Sequence, residues 1–145
     1  MAAKKSIKFE IVTLQKVVLR QEITQITVPT KAGEITVLPD HIPLVSILKP
    51  GVIETRDANG ETEIMSISGG FIEVLRDKIV ILADSAERAF ELNEEKVLLA
   101  RKKAEQAKIK AETDDHYDLS QVAIKLESAL AREKALKRWR RLKNI

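Results

Sequence analysis

Gly69-Gly-Phe-Ile-Glu-Val-Leu-Arg-Asp-Lys-Ile-Val-Ile-Leu-Ala83 is the stretch that divides this chain in two. Phe71 to Leu75 and Lys78 to Ala83 read as two strands around a turn at Arg76-Asp77. Gly69-Gly70 interrupts the alternation ahead of them, which predicts a bulge or a close backbone approach. After Gly70 the chain has no glycine and no proline. From there the apolar period changes from two to that of a helix.

Upstream, the period-two signal repeats. Ile7, Phe9 and Ile11 alternate with polar neighbours, and Ile26 and Val28 do so before Pro29. Lys31-Ala-Gly-Glu34 reads as a turn, followed by Ile35 and Val37 at the same spacing. Gly51 opens Val52-Ile-Glu-Thr-Arg56. Asn59-Gly60 is a strong hairpin signal, since both residues tolerate positive φ. Ile64, Ser66 and Ser68 then face away from Met65 and Ile67. Many short strands with regular turns predict an antiparallel sandwich or barrel.

Downstream, Asn93 is placed to cap a helix, with Glu94 and Glu95 in its favourable first turn. Val97, Ala100, Ala104, Ala107 and Ala111 form a narrow, small-residue face. Thr113 to Tyr117 breaks the pattern, and Asp118 with Gln121 resembles a capping box for a second helix. Its stripe runs through Leu119, Val122, Leu126, Ala129, Leu130, Leu136, Trp139 and Leu142. A helix from Leu119 to Lys143 is about 37 Å long at 1.5 Å per residue. The two make an antiparallel hairpin with little core of its own. It must pack on the first domain or on a partner. The domains expected are therefore residues 1–88 and 89–145.

Composition narrows the chemistry. The 145 residues are 44% hydrophobic and 32% charged, enough for a packed core. Aromatics are 3%, too few to stack a single-stranded nucleic acid. There is no cysteine, which excludes disulfides, thiolate zinc sites and cysteine nucleophiles. The two histidines, His41 and His116, argue against a cupin-like metal enzyme. No serine sits in a nucleophile elbow, and Gly69-Gly70 lacks the lysine and helix of a phosphate loop. No catalytic residue, metal ligand or cofactor site is expected. The N-terminus is interrupted by Lys8 and Glu10, so no secretory signal is read there, and an intracellular soluble protein is expected.

Charge is uneven. Residues 1–85 carry one net negative charge and residues 86–145 four net positive ones. Arg132 to Ile145 holds seven basic residues and one acid. Lys134, Lys137, Arg138 and Arg141 share a helical face. Such an end suits an acidic partner, a nucleic acid, a membrane surface, or simply a solvated helix C-terminus. Non-specific nucleic-acid binding is the alternative function.

Three motifs narrow the choice. Gly33-Glu-Ile-Thr-Val-Leu-Pro-Asp-His-Ile-Pro-Leu-Val-Ser46 precedes Leu48-Lys-Pro-Gly51. Ile67-Ser-Gly-Gly-Phe-Ile-Glu-Val74 and Ile81-Leu-Ala-Asp-Ser-Ala-Glu-Arg-Ala89 follow. In this order, with an alanine-rich hairpin behind them, they resemble the epsilon subunit of the rotary ATP synthase of bacteria and chloroplasts, called delta in mitochondria. The resemblance implies an antiparallel β-sandwich of about ten strands followed by a two-helix hairpin. It implies a non-catalytic central-stalk subunit that docks on the gamma subunit and the c-subunit ring. Glu34 and His41 match positions that face the c ring, although His41 also reads as a turn histidine bonded to nearby backbone. The hairpin is expected either folded on the sandwich or extended into the alpha–beta hexamer, where it blocks ATP hydrolysis. In that state Arg132, Lys134, Lys137, Arg138, Arg140 and Arg141 would meet an acidic segment of the beta subunits. No nucleic-acid partner is implied. The resemblance places the protein on the cytoplasmic side of the bacterial inner membrane, or its organelle equivalent, attached through the complex.

Two departures stand out. Family members that bind ATP carry Ile/Leu-Asp-x-x-Arg-Ala at the first helix, where this chain has Leu92-Asn-Glu-Glu-Lys-Val97. Lysine lacks the bidentate fork of arginine, so ATP binding at Asn93 and Lys96 is disfavoured. Asp40 stands where many members have glycine, and Asp tolerates positive φ better than most residues.

Overall fold

The computed structural model describes residues 5–144. Readings that rest on Met1 to Lys4 or on Ile145, part of the N-terminal signal reading among them, fall outside the described residues. Ten strands come first: β1 (Ile7–Val12), β2 (Val17–Ile23), β3 (Gln25–Thr30), β4 (Gly33–Val37), β5 (Leu44–Leu48), β6 (Gly51–Arg56), β7 (Thr62–Ile67), β8 (Gly70–Val74), β9 (Lys78–Ala83) and β10 (Ala86–Arg88). A single 3-10 turn (Ala89–Glu91) leads to α1 (Glu94–Thr113) and α2 (Leu119–Lys143).

The strands form one bent sheet in the order β10-β7-β6-β3-β5-β8-β9-β1-β2, with β4 also on β3. The bend is at β3–β5, where only Thr30 and Leu48 are in register. One layer is therefore β4-β3-β6-β7-β10 and the other β5-β8-β9-β1-β2. The inner faces carry the alternating residues read from the sequence: Ile7, Phe9, Ile11, Ile26, Val28, Ile53, Ile72, Ile79 and Ile81 are at most 2% exposed. Near the far edge, the Gln21 amide on β2 donates to the Thr55 hydroxyl on β6 (3.0 Å). The sandwich of ten strands and the two helices behind it are as expected.

The strands pair antiparallel, as expected, with one exception. β1 runs parallel to β9, with Phe9 opposite Ile79 and Ile11 opposite Ile81. A period of two fixes which face a side chain takes but not the direction of the neighbouring strand. The Asn59-Gly60 hairpin forms, but only Gly60 takes a positive φ (80°). Its N–H donates to the Asp57 carbonyl (3.0 Å), and the Asp57 carboxylate accepts from the Asn59 and Glu61 N–H groups at 2.9 Å each.

Both helix caps form. The Asn93 side chain accepts from Lys96 N–H at 3.1 Å. The Asp118 carboxylate accepts from Ser120 and Gln121 N–H at 2.9 and 3.4 Å. Asp118→Ala should destabilise the start of α2 by about 1 kcal/mol. Hydrogen exchange at Gln121 and Val122 should then quicken about fivefold, while β8 amides keep their rates. The α2 stripe differs from its expected form. Leu119, Leu130 and Leu142 are exposed, whereas Ser128, Ala129, Ala131, Glu133, Ala135 and Leu136 are buried. Where α2 crosses the sheet, small residues let the backbones approach; Leu119 and Leu142 lie near its ends, and Leu130 lines the cleft beside the contact.

Candidate functional site

The two outer faces of the sandwich are used differently. On the β6–β7 side, α2 lies across the sheet. Its apolar contact is small: Ile64, Ala89 and Ala135 are buried, with Val52 and Trp139 packed against them. Charge surrounds this contact. Arg132 Nε donates to Glu87 Oε1 on β10 (2.8 Å), and Arg138 pairs with Glu54 on β6. Beside them Arg88 grips both carboxylate oxygens of Glu63, a contact that raises the arginine's already high pKa.

A second set of pairs holds the hairpin to itself. Glu133, only 8% exposed, lies between Arg101 of α1 (3.1 Å) and Lys137 of α2 (2.8 Å). Arg140 meets Glu94 at the start of α1 (2.6 Å). Burying the Glu133 carboxylate is tolerable because two cations face it.

The basic residues singled out from the sequence are thus divided among tasks. Arg132 and Arg138 turn to the sandwich, Arg140 to α1, and Lys137 to its own helix. Lys134, Lys137, Arg138 and Arg141 do share one face, and with Arg101 and Glu133 they line a cleft of about 420 Å³. Lys134 and Arg138 also line a second cleft of about 390 Å³ under α2, which reaches Glu34 on β4. Sequence reasoning missed Glu54, Glu87 and Glu133 as partners. For Glu133 the i,i+4 spacing to Lys137 was the available signal. For the other two only the folded register brings them near.

Glu34 and His41 are not brought together. Glu34 stands opposite Pro29 near the start of β4, beside the α2 cleft. His41 lies beyond the other end of that strand, in the turn before β5. Its Nδ1–H donates to the Ile42 carbonyl (2.6 Å). The same turn has Asp40 at φ 64°, as its tolerance of positive φ allows. Lys5 Nζ donates to the Asp40 carboxylate (2.6 Å). That bond holds the Asp40 pKa below, and the Lys5 pKa above, the usual value. Asn93 spends its side-chain oxygen on capping α1, next to an exposed Lys96. Among the described residues no group of three or more His, Cys, Asp or Glu is placed to hold a metal. No helix among the described residues is long and apolar enough to cross a membrane.

The opposite outer face, on the β5–β8–β9 side, has no helix on it. Register carries one row of apolar side chains across five strands: Ile47 opposite Phe71, Phe71 opposite Leu82, Leu82 beside Val12, and Val12 opposite Val17. Ile47, Phe71, Leu82 and Val17 are 45%, 52%, 56% and 42% exposed, and neighbouring Val45 is 69% exposed. At about 4.8 Å between strands the row is roughly 19 Å long. With Val12 half-buried between Leu82 and Val17, these side chains make a continuous apolar row, the kind of patch interaction surfaces carry, unlike single surface leucines.

The sequence pattern of the family described as "ATP synthase, Delta/Epsilon chain, beta-sandwich domain" matches residues 6–89. The chain belongs to that family. An ATP synthase epsilon chain of Herpetosiphon aurantiacus is 40% identical over 126 residues, covering 87% of this chain and 90% of the relative. One of Bordetella petrii is 32% identical over 139 residues, covering 96% and 97%. Among solved structures, the Euglena gracilis mitochondrial ATP synthase (OSCP/F1/c-ring, rotational state 1) contains a chain that superposes with a TM-score of 0.79 at 27% identity. The superposition covers 94% of this chain and 84% of that one. Epsilon chains are non-catalytic subunits of ATP synthase, and this chain is one of them by family.

Proposed function

We propose that the chain is the central-stalk subunit of a proton-translocating ATP synthase, with two working parts. The sandwich, residues 1–88, joins the gamma subunit through its open apolar face. It meets the c-subunit ring through Glu34 and the turn that holds His41. The hairpin, residues 89–145, restrains ATP hydrolysis when it leaves the sandwich and carries its basic residues to the alpha–beta hexamer. ATP sensing at Asn93 and Lys96 forms no part of the reading. The protein acts as a peripheral component on the cytoplasmic side of the bacterial inner membrane or the organelle equivalent.

The observation that supports this most is the contrast between the two outer faces. One is apolar, continuous and uncovered. The other is covered by α2 through a small apolar contact flanked by ion pairs. Permanent association suits the first, and reversible docking suits the second.

The test is ATP hydrolysis by the matching alpha–beta–gamma complex, titrated with the full chain and with residues 1–89. Both forms should bind, and only the full chain should inhibit. Binding without inhibition by the full chain would remove the braking role. Failure of both to bind would remove the docking role.

A further inference from the structure

We propose that Glu54 and Glu87 form an electrostatic latch that sets how often the hairpin leaves the sandwich. The inference rests on the reading above for its consequence in the complex, but the latch itself is a property of the free chain.

Two arginines of α2 reach across to carboxylates of the sandwich: Arg138 to Glu54 and Arg132 to Glu87. Among the described residues these are the ion pairs that join α2 to strands. The others near it, Arg101–Glu133, Lys137–Glu133 and Arg140–Glu94, lie within the hairpin and travel with it. Apolar burial offers little competition. Among the described residues the inner core contains sixteen buried hydrophobic residues, but the α2 contact has three, with Val52 and Trp139 partly buried beside them. A contact that small leaves the position of α2 sensitive to a pair of charges.

The two pairs are also well placed to matter. Each pair joins a less exposed group to a more exposed one, Glu54 (21%) to Arg138 (50%) and Arg132 (31%) to Glu87 (42%), so water screens both pairs without abolishing them. They straddle the apolar contact, with Glu54 on β6 opposite Ile64 and Glu87 on β10 opposite Ser66. Arg132 and Arg138 sit six positions apart on α2, so both bonds together fix the rotation of the helix as well as its position. The same two guanidinium groups belong to the basic set expected to meet an acidic partner. While Glu54 and Glu87 hold them, that partner cannot. The sandwich thereby offers its own carboxylates in place of the partner's.

The consequence is that substitutions on the two sides of one ion pair diverge. Removing the carboxylates frees the hairpin and leaves its basic face intact. Removing the arginines also frees the hairpin but takes away what it would bind with. Two partly exposed pairs of ordinary strength should shift the ratio of docked to undocked chain by about threefold to tenfold.

The full chain has no cysteine, so Asn59→Cys with Lys125→Cys, both at exposed positions, accepts a unique pair of spin labels. Distances between them should report α2 on or off the sandwich. In the free chain, Glu54→Gln with Glu87→Gln should raise the undocked fraction threefold to tenfold, and Arg132→Gln with Arg138→Gln should do the same. Exchanging partners, Glu54→Arg with Arg138→Glu, should restore docking lost in the single variants, which rules out general loss of folding. In the hydrolysis assay the glutamate variant should inhibit at lower concentration than the parent, and the arginine variant at higher concentration. Unchanged distances in the glutamate variant would overturn the latch, whatever hydrolysis shows. Changed distances with unchanged hydrolysis would support the latch and overturn the braking role.

Discussion

Gly70→Ala should lower the stability of the sandwich by at least about 3 kcal/mol, the largest effect expected of any single methyl group in this chain. Two independent causes act there. Gly70 has φ 142°, a region that L-residues rarely enter, and forcing one into it costs on the order of 1–3 kcal/mol. A Cβ at this position would also stand 2.1 Å from the Leu82 carbonyl oxygen and 2.8 Å from Ala83 Cα. Both are backbone atoms of β9, so relief requires β8 and β9 to separate where Gly70 pairs with Ala83. For a unit of this size such a loss lowers the melting temperature by about 12–24 °C. Gly33→Ala is the matched control. Its φ is 129°, but nothing lies within 4 Å of the added carbon, so it should cost strain alone. Thermal unfolding followed by circular dichroism would compare the two. Equal melting temperatures would show that the close approach of β8 to β9 contributes nothing.

Phe71→Asp together with Leu82→Asp should weaken binding to gamma at least a hundredfold while leaving the fold intact. The two residues face each other across β8 and β9 at the middle of the apolar row. Half-exposed residues lose little folding energy when replaced. At an interface the same change removes two apolar side chains worth about 1.5–3 kcal/mol each and buries charges in their place. Ile109→Asp, on the exposed face of α1, should leave affinity unchanged. Titration calorimetry against isolated gamma, with melting curves for each variant, separates docking from folding. Undiminished affinity in the double variant would move the docking surface away from this face.

The parts of the fold that could be read in advance are those where one face of an element is buried and the other wet. β1 alternates plainly, and both helix caps declared themselves through Asn93 and Asp118. β5 did not, because Val45 and Ile47 are apolar on the face that points outward. A strand with two apolar faces loses its period-two signal. β2 is an edge strand with only Ile23 fully buried, and β10 has three residues, so neither shows a period. The same residues that hid β5 from the pattern form the open apolar row. At the hairpin, the basic residues were visible as a charge run, but their division between Glu54, Glu87, Glu94 and Glu133 was not. Pairing across elements depends on the approach of α2 to the sheet, and no local spacing encodes that approach.

The parallel seating of β1 beside β9 has a consequence in time. Phe9 lies opposite Ile79, about 70 residues further along the chain. During synthesis from the N-terminus, β1 therefore emerges long before the strand that will flank one of its sides. β2 follows at once and can form a hairpin with it, but that hairpin has only a provisional apolar face until β9 arrives. Loop closure over such a span slows the pairing. The strand made first completes its place in the sheet among the last, and until then Ile7, Phe9 and Ile11 are the exposed sequence a chaperone would find.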